Sequence, residues 1–133
     1  MVSKFNQLAE EAAVYHSRLK KSVSDGLIIY NENTLNVMRR ILDKHPDGCF
    51  DMIFADPPYF LSNDGFSCQN GQMVSVNKGE WDKSKGMAAD LEFYEEWLRL
   101  CYALLKPNGT IWVCGTYHNV YMVGYMMQLI GYH

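Results

Sequence analysis

The 133-residue chain predicts an α/β domain of the doubly wound class, built on a partial parallel sheet of which three strands are visible. Three observations predict it. Short apolar runs alternate with segments of helical period, the order that right-handed crossover units require. One run, Phe50-Asp51-Met52-Ile53-Phe54-Ala55, is apolar throughout apart from Asp51, as expected where both faces of a parallel sheet are covered. Pro and Gly punctuate the alternation at Pro46 with Gly48 and at Lys106-Pro107-Asn108-Gly109.

The elements follow in order. Phe5, Leu8, Ala12, Tyr15 and Leu19 recur at spacings of three and four, the stripe of an amphipathic helix ended by Ser24-Asp25-Gly26. Residues 1–25 are therefore expected to be an appended helix and residues 26–133 the core. Leu27-Ile28-Ile29-Tyr30 reads as a buried strand, and Asn31-Glu32-Asn33-Thr34 turns the chain into a helix with Leu35, Met38, Ile41 and Leu42 on its apolar face. The second strand is Phe50–Ala55. Residues 60–89 carry no sustained period but many Gly, Ser, Asn and Lys residues, and loops of that length are usually functional or disordered. Asp90 reads as the cap of a helix that buries Leu91, Tyr94, Trp97, Leu98, Cys101, Leu104 and Leu105. Thr110-Ile111-Trp112-Val113-Cys114 is the third strand, and residues 119–130 are a last helix stopped by Gly131, with Val120, Val123, Met127 and Ile130 on one side.

Bulk properties narrow the function. The formal net charge is −3, the wrong sign for a surface that neutralises phosphates by itself, so any nucleic-acid role must rest on local features or on protein outside the chain. Cys49, Cys68, Cys101 and Cys114 are scattered, as are His16, His45, His118 and His133; no metal site and no disulfide framework is expected. No apolar stretch approaches the roughly 20 residues of a membrane span, and a secretory pattern is missing, so a cytoplasmic location with no membrane partner is expected.

The chemical centre is Asp56-Pro57-Pro58-Tyr59, placed directly behind the second strand. The exocyclic amine of adenine or cytosine is a poor nucleophile because its lone pair is delocalised into the ring, and two acceptors are needed to draw its hydrogens into a new geometry. The Asp56 carboxylate supplies one and the Pro57 carbonyl the other. Pro57 and Pro58 stiffen the loop, since proline fixes its own φ and biases the residue before it, which preorganises both acceptors. Tyr59 offers an aromatic face for an unstacked base, worth roughly 1–3 kcal/mol, with Phe60 behind it as packing or a second wall. An enzyme that acts on a base amine must take that base out of the duplex or use a single strand. The plainer alternative is a tight turn, for which Asp and Pro are common formers.

At this loop the chain resembles the DNA amino-methyltransferases that use S-adenosylmethionine, in particular the beta-class enzymes of restriction-modification systems, whose catalytic half comes first. The resemblance runs through residues 54–63, through Gly79-Glu80-Trp81-Asp82-Lys83, and through residues 104–113 and 115–121. It implies the Rossmann-like methyltransferase fold, an adenine-N6 acceptor, DNA as partner and in-line transfer of the sulfonium methyl. By the same resemblance Asp56 and Pro57, stiffened by Pro58, bind the target amine, Tyr59 stacks on the base, and Asn33 with Asp56 lies near the cofactor. Trp81 and Lys83 are implied as substrate contacts, with Lys78 and Lys85 near the DNA backbone; the rival reading of this stretch is a solvated loop anchored by Trp81. For Asn119 helix capping is the simpler account.

The chain has no Gly-x-Gly-x-x-Gly cofactor turn and no target-recognition region. It is expected to be the amino-terminal, catalytic half of a methyltransferase domain, a fragment or one part of a split enzyme that needs a carboxyl-terminal partner or the remainder of the protein. Tight cofactor binding by this chain alone is not expected. A cytosine-N4 or RNA amino-methyltransferase, or an inactive remnant that acts only as a binding module, stay open as alternatives.

Overall fold

The computed structural model describes residues 21–24, 26–62, 66–75 and 78–133. Two compact units divide between Arg40 and Ile41. The helical stripe from Phe5 to Leu19 lies outside the described residues.

In the first unit, strands β1 (Lys21–Ser24) and β2 (Leu27–Tyr30) form an antiparallel hairpin, with Gly26 at φ 81 in its turn. This corrects the sequence expectation in two respects. Ser24 belongs to a strand rather than to a helix end, and Leu27–Tyr30 is a strand but not part of a parallel set. The physical reason is local: a strand without a neighbour of its own leaves N–H and C=O groups unpaired, and folding back on the preceding residues satisfies them. Helix α1 (Thr34–Leu42) follows, running across the division at Arg40 and Ile41, with Val37 and Met38 buried. Asn33 caps it, its Oδ1 accepting the Asn36 N–H at 3.3 Å. Arg40 donates both guanidinium arms to Glu32 at 2.9 Å.

The second unit holds the parallel pair. Strand β3 (Phe50–Ala55) lies beside β6 (Leu105–Val113), with Ile53 opposite Ile111 and Phe54 opposite Trp112. Between Phe50 opposite Leu105 and Met52 opposite Thr110 the register jumps, so the Pro107-Asn108-Gly109 turn expected from sequence sits as an irregularity inside a longer strand than predicted. Asp51, the polar exception in β3, meets Lys106 there at 2.8 Å on the surface. Gly48 delivers the chain into β3 at φ 80, where a Cβ would lie 2.4 Å from the Leu105 carbonyl oxygen; no other residue fits.

Within the stretch 60–89, read from sequence as loop, the described residues include a hairpin and a 3₁₀ turn. Strands β4 (Phe66–Gln69) and β5 (Gln72–Ser75) form a hairpin through Asn70 and Gly71, whose φ values of 54 and 78 are those of a type I′ turn. A single 3₁₀ turn covers Glu80–Asp82. Helix α2 (Met87–Leu104) begins three residues before Asp90, with Gly86 at the cap position. Asp90 instead accepts the Ser84 hydroxyl at 2.6 Å and the Lys85 N–H at 3.2 Å, tying the approach segment to the first turn.

The core lies along α2, where Tyr94, Trp97, Leu98, Cys101 and Leu104 are buried at helical spacing and meet β6 and helix α3 (Val120–Ile130). Burial pushes the Cys101 thiol up to about 12. Helix α3 ends as expected on left-handed Gly131, whose N–H reaches the Met127 and Gln128 carbonyls. Ile53, Ala55, Ile111 and Val113 are half-buried, whereas Met52, Phe54 and Trp112, on the opposite face of the same two strands, are 59%, 68% and 65% exposed. Among the described residues no helix is long and apolar enough to cross a membrane, and no cluster of three potential metal ligands occurs.

Candidate active site

Strand β3 ends where Pro57, lacking an N–H, cannot continue the ladder. The Cys114 N–H, just past β6, donates to the Ala55 carbonyl at 2.8 Å, so the two strand ends are level when Asp56 opens the loop. Asp56 is exposed, Pro57 is buried, and Pro58, Tyr59 and Phe60 are half-buried.

Two sets of bonds hold this corner. On one side the Tyr94 hydroxyl, fully buried in α2, donates to the Pro58 carbonyl at 2.8 Å. Asn119 Nδ2 donates in turn to the Tyr94 oxygen at 3.1 Å, while Asn119 Oδ1 accepts the Thr116 N–H at 2.8 Å. Asn119 does stand at the cap position of α3, yet its side chain makes no capping bond to that helix. It joins the loop after β6 to the loop after β3. Burial raises the Tyr94 phenol above its ordinary range, and the Asn119 bond partly opposes this.

On the other side the Asp82 carboxylate, 1% exposed, takes three donors. Its Oδ1 accepts the Tyr59 N–H at 2.9 Å and the Phe60 N–H at 3.0 Å, and its Oδ2 accepts the Ser62 hydroxyl at 2.6 Å. The buried Ser62 oxygen also accepts the Lys78 N–H at 2.9 Å, and the Ser62 N–H donates to the Asp82 carbonyl at 3.2 Å. Phe60 is left-handed at φ 55, a conformation that costs a bulky side chain on the order of 1–3 kcal/mol. Edge-to-face contacts of its ring with Phe93 and Tyr94, at 5.5 and 5.4 Å between centroids, help to offset that cost, each worth about 0.5–1.5 kcal/mol. The Phe60 ring thus packs into the α2 face.

On the exposed side of the corner stand the Asp56 carboxylate and the Tyr59 hydroxyl. The Tyr59 hydroxyl donates to the Asp56 carboxylate, and Lys78 Nζ lies 5.1 Å from the Tyr59 ring centroid. The bond to Asp56 first, then desolvation, pushes the Tyr59 phenol up to about 12. Of the more distant sequence candidates, Trp81 is 62% exposed on the 3₁₀ turn and folds its indole against Gly79, where a Cβ would lie 2.9 Å from Nε1. Lys83 pairs with Glu80 at 2.6 Å. Asn33 belongs to the first unit, where its side-chain oxygen is engaged as the cap of α1.

Residues 50–133, from the first residue of β3 onward, match the DNA methylase family. The chain belongs to that family. It is 46% identical over 107 residues to the type II methyltransferase M2.DpnII of Streptococcus pneumoniae, covering 77% of this chain and 40% of that protein. It is 50% identical over 93 residues to the type II methyltransferase M2.LlaDCHI of Lactococcus lactis subsp. cremoris, covering 70% and 35%, and 43% identical over 84 residues to the type II methyltransferase M.HinfI of Haemophilus influenzae, covering 62% and 23%. The chain therefore spans two fifths or less of the length of these relatives.

In this DNA methylase chain the structure brings Asp56, Pro57, Pro58, Tyr59 and Phe60 into one corner and adds four residues that sequence reading assigned elsewhere or passed over: Ser62, Asp82, Tyr94 and Asn119. Asp82 stood in the segment singled out for its neighbours Trp81 and Lys83, and Tyr94 was read only as an apolar face. Each acts through a polar atom buried by residues distant in sequence, which no local pattern reveals.

Proposed function

We propose that the complete protein is an adenine-N6 DNA methyltransferase that uses S-adenosylmethionine, and that this chain is its amine-binding half. The observation that carries the reading is the exposed Asp56 carboxylate at the end of a parallel strand, in a loop whose following peptide groups are pinned by buried partners. Asp56 accepts one hydrogen of the target amine and the Pro57 carbonyl the other, which restores lone-pair density at the nitrogen. Tyr59 stacks on the flipped base once its hydroxyl gives up Asp56 to the incoming amine. Phe60 backs that wall from the α2 side. Trp81, on the 3₁₀ turn beside the corner, and Lys83, just after it, contact DNA.

When bound, S-adenosylmethionine supplies the electrophilic methyl group. The fit of this chain to it is partial: the exposed Asp56 carboxylate suits a positively charged sulfonium, but the sequence has no glycine-rich turn to cradle the nucleoside. The rest of the cofactor site, the remaining strands of a doubly wound sheet and the target-recognition region come from the remainder of the protein or a carboxyl-terminal partner. The exposed apolar face of β3 and β6 supports that reading, because parallel sheets are covered on both sides. The partner is DNA and the location cytoplasmic.

The test is nucleoside mass spectrometry of duplex DNA incubated with the methyl donor and the complete protein. N6-methyladenine is expected, and Asp56→Ala lowers its formation by at least about 10³-fold with DNA binding largely retained. Methyl groups on cytosine, on RNA or on protein instead, or normal turnover by Asp56→Ala, overturn the assignment.

A further inference from the structure

We infer that Asp82 is the positioning residue of this corner: it touches no substrate, but its buried carboxylate fixes the peptide groups of Tyr59 and Phe60 so that the Asp56 carboxylate and the Tyr59 ring face outward together. The inference rests on the amine-binding reading above and assigns to that site a residue outside the Asp-Pro-Pro-Tyr segment.

Three observations converge. The first is chemical: a carboxylate removed from water is costly, and this one is compensated by two peptide N–H groups and one hydroxyl, none of them a cation. A side chain needed only to fill space at this position would be apolar. The second is geometric, since two successive N–H groups aimed at a single oxygen form a backbone nest, the arrangement by which a chain binds an anion. Here the anion is supplied from within the chain, and Phe60, which bears the second N–H, is itself left-handed. The third is connectivity. Ser62 Oγ bridges Asp82 to the Lys78 N–H, and Asp82 lies next to exposed Trp81 on the same 3₁₀ turn. The catalytic loop and the turn that carries a proposed DNA contact are thereby one rigid piece. A displacement of about 1 Å in a reacting group is enough to lower a rate by about two orders of magnitude, so a residue that sets the Tyr59 and Phe60 peptides has leverage on the chemical step without reaching the base.

The experiment compares Asp82→Ala, Asp82→Asn and Ser62→Ala in the complete protein by single-turnover methyl transfer and by DNA affinity, with Asp56→Ala alongside. Asn keeps an acceptor oxygen for both N–H groups but turns a donor toward Ser62, whereas Ala removes every bond. The expected order of rates is wild type, then Ser62→Ala, then Asp82→Asn lower by about 3–10-fold, then Asp82→Ala lower by roughly 30–100-fold, with the DNA Kd changed less than about 3-fold throughout. Rescue by Asn relative to Ala, and a loss confined to the rate, separate positioning from general destabilisation. If Asp82→Ala does not fold, Asp82→Asn decides alone: a wild-type rate overturns the inference, as does a loss that resides wholly in DNA affinity. Asp56→Ala keeps the two levels apart. Its full activity would refute the amine-binding reading itself, while an inactive Asp56→Ala together with fully active Asp82 variants refutes only the role given to Asp82.

Discussion

The carboxyl end of β3 and the flat face of the same strand are built in opposite ways. At the end, Ser62, Asp82, Tyr94 and Asn119 bury polar atoms almost completely, and no buried side-chain nitrogen or oxygen among the described residues lacks a partner. On the face, Met52, Phe54 and Trp112 leave apolar surface in water. Polar burial is tolerated only when every group is satisfied, and it then specifies one geometry; apolar exposure contributes nothing until something covers it. The corner is thus self-sufficient in geometry, whereas the apolar face of the sheet stands bare among the described residues.

The sharpest way to break the contrast is a charge on the bare face. Phe54→Glu should destabilise the complete protein by about 4 kcal/mol or more, the cost of burying an unpaired charge, while changing the stability of this chain alone by no more than about 0.5 kcal/mol. Thermal unfolding of both forms checks it, and equal shifts in the two would show that the face is uncovered in each. Next in size, Tyr59→Ala removes the proposed stacking face, worth roughly 1–3 kcal/mol, so kcat/KM for methyl transfer by the complete protein should fall about 5–150-fold, while Tyr59→Phe, which keeps the ring, loses much less. Tyr94→Phe keeps the packing but leaves the Pro58 carbonyl without its donor, and about 1–3 kcal/mol of stability is lost in denaturant titration of the chain. The smallest effect is on pH. The Tyr59 phenol, raised from 10.0 to about 12 in the folded chain, gives a stabilising contribution that is complete below pH 10 and disappears as pH climbs through 12. Ultraviolet titration of wild type minus Tyr59→Phe should show one phenol ionising in that window rather than near pH 10.

The strand Phe50–Ala55, the helix Val120–Ile130 and the acid-proline corner between strand and loop were legible because each is written in contiguous residues. The hairpin at Asn70-Gly71 was equally local and was passed over: Asn-Gly is the preferred pair for a type I′ turn, but the polar residues around it masked the signal. The pairing of Leu27–Tyr30 was misjudged because strand character does not tell a strand its neighbour. Asp82, Tyr94 and Asn119 were all singled out in the sequence, but not as the anchors of this corner. A buried acid in a loop, an aromatic on a helix face and an asparagine before a helix each have a commoner local explanation, and only the fold brings their polar atoms onto Tyr59, Phe60 and Pro58.

The partners of the corner are spread along the polypeptide from Ser62 to Asn119, and this bears on how the gene can be rearranged. Inserting a tag at the exposed Asn70-Gly71 tip keeps every anchor covalently in line and should be tolerated. Severing the backbone at the same tip leaves Asp56 on one piece and Asp82, Tyr94 and Asn119 on another, so the pieces must find each other before the loop has any shape. Circular permutants with new ends before Phe50 or after Ile130 avoid that problem altogether.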